Sequence, residues 1–85
     1  MNNTFQKKII DIIDNGYIPK QPISIHKIED VPKKQTIYNI AYDTDDLHIT
    51  LIKSETGEIK ITDGYLDNLA MIYEEIKGQY INEHT

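Results

Sequence analysis

The sequence predicts an α+β fold, with a helix at each end and an antiparallel β meander between them. Three observations predict it. Apolar residues near both ends recur with the 3.6-residue helical period. Between residues 36 and 61 they recur at every second position, and turn-forming clusters separate the alternating segments. Eighty-five residues make one domain, 1–85, built without cysteine and so without disulfide or thiolate–zinc support. Its core must come from apolar packing, and 17 residues are Ile.

Asn3 or Thr4 caps the first helix and Gly16 ends it. Phe5, Ile9, Ile12 and Ile13 form one apolar stripe, with Lys7, Lys8, Asp11 and Asp14 on the other side. Ile10 lies off the stripe, at its margin or under another element. Pro19, Pro22 and Pro32 bar a helix interior across residues 17–35. That segment leaves room for one short edge strand over residues 23–28, where flanking prolines are tolerated.

The meander is the most readable part. Thr36, Tyr38, Ile40 and Tyr42 share one face, as do Leu47, Ile49 and Leu51, then Ile59 and Ile61. With Asp43-Thr44-Asp45-Asp46 as the turn, Tyr42 faces Leu47, Ile40 faces Ile49 and Tyr38 faces Leu51. For the second hairpin, a four-residue loop sets Leu51 opposite Lys60 and mixes the faces. A three-residue loop, Glu55-Thr56-Gly57, sets Leu51 opposite Ile61 and gives Gly57 the left-handed position. Parity selects the three-residue loop.

Asp63 is expected to cap the second helix, with Asp67 in its first turn. Tyr65, Leu66, Leu69, Ala70, Ile72, Tyr73, Ile76 and Tyr80 form a broad buried stripe. Gly78 ends this helix or lies within it, and the chain frays after Asn82. Both helices are expected on the single apolar face of the sheet.

The net charge is −5, and all nine basic residues are Lys. Residues 1–42 carry six Lys against four acids; residues 43–85 carry three against ten. So acidic a C-terminal half is ill suited to nucleic-acid phosphates, and the lack of Arg removes the usual bidentate reader. No apolar run approaches the roughly 20 residues that span a bilayer. No secretory h-region follows Lys7 and Lys8, so the expected setting is the cytoplasm, off the membrane.

Signatures of chemistry are missing. Asp43 and Asp45 start like a calcium loop, but Leu47, His48 and Ser54 occupy its fifth, sixth and twelfth positions. His26, His48 and His84 lack metal-site spacing, Ser24 and Ser54 lack a nucleophile elbow, and the glycines suit turns. The expectation is no enzyme, no cofactor and no metal. Of the tyrosines, Tyr38, Tyr42, Tyr65 and Tyr73 suit the core, with hydroxyls at its edge.

Two features suggest contact with a protein. On the outer face of the sheet, Ile37 falls opposite Ile52, flanked by Ala41, where an open antiparallel sheet is normally polar. A covering strand, loop or Ile10 is the structural alternative. On the second helix, Met71 stands among Asp67, Glu74 and Glu75, and methionine adapts readily to a partner.

The order helix–three strands–helix is similar to that of double-stranded-RNA-binding domains. Those carry a lysine cluster at the start of helix 2, where this chain has Asp63-Gly64-Tyr65-Leu66-Asp67, which argues against that activity. Size, acidity and layout also resemble small phage-encoded inhibitors, including inhibitors of CRISPR nucleases that imitate nucleic-acid charge. The resulting expectation is a small, acidic, non-enzymatic interaction protein that covers a site on a larger, basic protein partner. It would serve as an inhibitor or accessory subunit from a phage or other mobile element. The alternatives are a nucleic-acid-associated protein using Lys7, Lys8, Lys20, Lys27, Lys33 and Lys34, and a structural homodimer.

Overall fold

The structure, a computed structural model, describes residues 4–64 and 66–83. Its elements run α1 (Thr4–Asp14), β1 (Ile23–Asp30), β2 (Gln35–Tyr42), a single 3₁₀ turn (Asp43–Asp45), β3 (Leu47–Ser54), β4 (Ile59–Asp63) and α2 (Leu66–Glu83). The strands form one antiparallel sheet in the order β1-β2-β3-β4. The edge strand is therefore real, and at eight residues it is longer than residues 23–28. Pro22 and Pro32 bracket it from outside, so neither removes an N–H from within the strand.

The register follows from side-chain parity. Tyr42 faces Leu47, Ile40 faces Ile49, and Tyr38 faces Leu51. Leu51 also faces Ile61 on β4. The Ser54 N–H donates to the Glu58 carbonyl at 2.8 Å, closing the three-residue loop, and Gly57 has φ +93°. At the first hairpin, Asp46 takes the left-handed conformation at φ 53°, which Asp tolerates better than most residues.

Every core position on the strands points to one face. Ile23, Tyr38, Ile40, Ile49 and Leu51 are fully buried there against Ile9 and Ile10 of α1 and Leu69, Ile72 and Ile76 of α2. α2 packs on β1 and β3, and α1 packs along α2. Both helices thus cover the same face. The rings of Phe5 and Tyr73 meet at 5.4 Å where the helices adjoin.

Three details differ from the sequence reading. Ile10 is 1% exposed, whereas Ile12 and Ile13 are only half-buried. The buried side of α1 is therefore rotated toward α2 and also takes in Gln6. Asp63 is not a helix cap: it is the last residue of β4, opposite Thr50. A bulge makes this happen, because Thr62 is an extra residue between the pairs Leu51–Ile61 and Thr50–Asp63. Gly64 then turns the chain at φ +107°. Finally, α2 continues through Gly78 to Glu83, and its fully buried positions reduce to Leu69, Ile72 and Ile76. Asn3, Tyr65 and His84 lie outside the described residues, as does the side chain of Leu66.

Candidate functional site

Strand parity that sends apolar groups inward sends the intervening residues to the other side of the sheet. On that outer face, Ile37 of β2 is flanked by Ile28 of β1 and Ile52 of β3, each directly opposite it. Lys60 of β4 ends the row. Ile28 is 49% exposed, and Ile37 and Ile52 are half-buried. The edge strand does not cover the expected pair; it lies beside it and lengthens it by one residue. Ile10 does not cover it either, since Ile10 belongs to the core on the opposite face.

Next to this row the outer face is polar. His26, Asn39, Thr50 and Asp63 stand side by side across the four strands, followed by Ser24, Ala41 and His48. Thr50 Oγ1 donates to Asn39 Oδ1 at 3.1 Å. An open groove of about 500 Å³ lies over these residues and extends to Asp43. Ser24 and His26 share one strand, two positions apart, and among the described residues no hydrogen bond joins a hydroxyl to a histidine. His48 Nε2 lies 3.9 Å from Asp46 Oδ1, with both side chains exposed. The groove offers hydrogen-bonding groups for recognition beside an apolar row.

The α2 residues lie on the other side of the molecule. Asp67, Met71 and Glu74 follow one another at helical spacing on the solvent side of α2, with Met71 42% exposed. Glu75 turns aside: it is half-buried and accepts a hydrogen bond from Gln79 Nε2 at 3.0 Å. Gln79 in turn donates to the Lys20 carbonyl and accepts from the Lys20 N–H, fastening the 17–20 segment to α2. Glu75 therefore supports the fold. The six expected contact residues divide into the Ile37–Ile52 surface and the Asp67–Met71–Glu74 surface, on opposite sides of the sheet.

The sequence reading missed one polar cluster. Asp14, at the last turn of α1, receives Lys27 Nζ at 2.9 Å, Lys53 Nζ at 2.5 Å and the Tyr38 hydroxyl at 2.9 Å. Burial raises the Asp14 pKa, but the hydrogen bonds from Lys53, Lys27 and Tyr38 outweigh it and hold the carboxyl at about 2. Burial and the adjacent Asp14 raise the Tyr38 hydroxyl, which stays a neutral donor. The hydrogen bond to Asp14 raises Lys27 despite some desolvation. A signal was present in the sequence. Lys27 and Lys53 share the inward parity of Tyr38 and Leu51, and an inward lysine needs an acid. Each satisfied group here ties a strand to α1, so the cluster is a clamp.

Several other lysines are engaged with acids. Lys7 pairs with Asp11, Lys20 with Glu83 and Lys60 with Glu58. Lys8 and Lys77 lie over the ring of Tyr73. The lysines of the N-terminal half are spread over α1, the 17–20 segment, β1 and the β1–β2 turn. No described helix is long and apolar enough to cross a membrane.

Comparison of the chain with protein-family models, with curated proteins and with solved structures finds no match in any of the three. The functional reading therefore rests on the surfaces themselves.

Proposed function

We propose that this protein is a non-enzymatic interaction protein that covers a site on a larger protein partner, as an inhibitor or accessory subunit. The contact surface is the outer face of the sheet. One observation carries the reading: Ile28, Ile37 and Ile52 form a continuous apolar row on a face that neither helix covers. An apolar row bordered by polar side chains is the usual composition of a protein contact. Asp30 and Asp63 stand in the rows beside it and Lys60 ends it, so the complementary surface is apolar at its centre and carries both signs of charge at its rim.

The lysines support a protein rather than a nucleic acid as partner. Counterion release needs free cations converging on one surface, and here Lys7, Lys20, Lys27, Lys53 and Lys60 are each paired with an acid. The test is capture of a partner from the native host by wild-type protein and by two variants. Ile37→Lys with Ile52→Glu is expected to lose the partner, whereas Met71→Lys on α2 is expected to retain it. The reverse pattern would move the contact surface to α2.

A further inference from the structure

β1 is an outer strand, so one of its sides meets no other strand. The Asp43 N–H donates to the Pro22 carbonyl at 2.9 Å, which makes residues 22 and 43 a hydrogen-bonded pair. Bonded and non-bonded pairs alternate along an antiparallel ladder, so the even residues of β1 bond to β2. The odd residues present their N–H and C=O groups outward. Ile23 has its N–H taken by the Lys20 carbonyl at 3.0 Å. Ile25, Lys27 and Glu29 remain as a template for a further strand.

We infer that the strand taken up at this edge is β1 of a second copy of this chain. The two strands run antiparallel about a two-fold axis through Ile28, joining two four-stranded sheets into one. The charge pattern along β1 selects this arrangement. With Ile28 at the axis, Lys27 of each copy stands opposite Glu29 of the other, in the position where both have outward main-chain groups. His26 of each copy stands opposite Asp30 of the other, and Ile28 meets Ile28. Every pair is matched in charge or polarity. Moving the axis to Lys27 or to Glu29 sets like charges opposite each other. Moving it to His26 sets Ile28 opposite Ser24 and Lys27 opposite Ile25.

An inward-pointing charge such as Lys27 ordinarily discourages edge pairing. In this register Glu29 of the second copy meets it, and Glu29 makes no ion pair of its own among the described residues. The pairing does not depend on what the outer face binds. It leaves that face open and continues the row Ile52–Ile37–Ile28 directly into Ile28–Ile37–Ile52 of the second copy.

The experiment combines sedimentation equilibrium with site-specific cross-linking of the full chain. The wild type is expected to self-associate at about 100 μM, since so short an interface belongs to the weak class. The chain has no cysteine of its own. Ile28→Cys should therefore give a disulfide-linked dimer on mild oxidation, because residues facing each other across a non-hydrogen-bonded pair lie about 4.5 Å apart at Cα. His26→Cys, two positions away on the same exposed face, should form no disulfide-linked dimer, because residue 26 faces residue 30 and not its own counterpart. Glu29→Lys sets lysine opposite lysine, and should abolish association while leaving the melting temperature of the monomer unchanged. A wild type that remains monomeric at that concentration overturns the inference. So does cross-linking at His26 as fast as at Ile28.

Discussion

At the scale of single residues, Asp14 does the most that hydrophobic pattern alone does not reveal. One carboxylate at the end of α1 accepts from β1, β2 and β3 together. Its pKa falls from 3.8 to about 2, so the stabilisation it supplies is complete above pH 4 and is lost as pH falls toward 2. Urea unfolding should show stability declining across that window. Asp14→Asn should flatten the decline and cost about 1 kcal/mol at pH 7, an amount reduced for the solvent around a half-exposed group. An unchanged acid slope in the variant would show that the clamp contributes nothing. Two glycines allow a second comparison. Gly57 needs only its positive φ, since a Cβ there would meet nothing within 4 Å. Gly57→Ala should cost about 1 kcal/mol. At Gly64 a Cβ would lie 2.7 Å from Ile49 Cγ1 and 2.8 Å from the His48 carbonyl oxygen, in addition to φ +107°. Gly64→Ala should cost about 2 kcal/mol or more in the same measurement, because backbone on β3 must move. Equal losses at the two positions would contradict this account of the β4–α2 turn.

At the scale of elements, legibility tracked the period of the pattern. Strands 2 to 4 alternate cleanly, so parity alone gives Tyr38–Leu51 and Leu51–Ile61 and rejects the four-residue loop. The β4 bulge left no such trace. Thr62 and Asp63 look like the approach to a helix, and Asp63 has the side chain of a cap, yet the extra residue returns it to the ladder opposite Thr50. β1 was obscured by its prolines and by Lys27 and Glu29, charged residues at inward parity that break the expected apolar alternation. With the edge strand given only as residues 23–28 and without a register, the Ile37–Ile52 pair is visible but the place of Ile28 beside it is not, and neither is the need of Lys27 for Asp14. The rotation of the buried side of α1 that takes in Ile10 comes from its contact with α2, which no pattern within residues 4–14 encodes.

At the scale of the whole molecule, two helices close one face of the sheet and leave the other open. The net charge is −5, with the C-terminal half strongly acidic and lysines paired to acids. Generic duplex and single-stranded DNA or RNA should therefore show no mobility shift at about 150 mM salt, where a repulsive net field is only partly screened. Salt-sensitive binding would favour a nucleic-acid role for the lysines instead. The most direct test of the open face is thermal melting of two matched double variants on the same two strands. Ile37→Lys with Ile52→Glu places an opposite-charge pair on the outer face and should melt within a few degrees of wild type. Ile40→Lys with Ile49→Glu places the same pair among fully buried residues and should not fold. Collapse of the outer-face variant would contradict the account, because it would mean that Ile37 and Ile52 are core residues and not part of an open face.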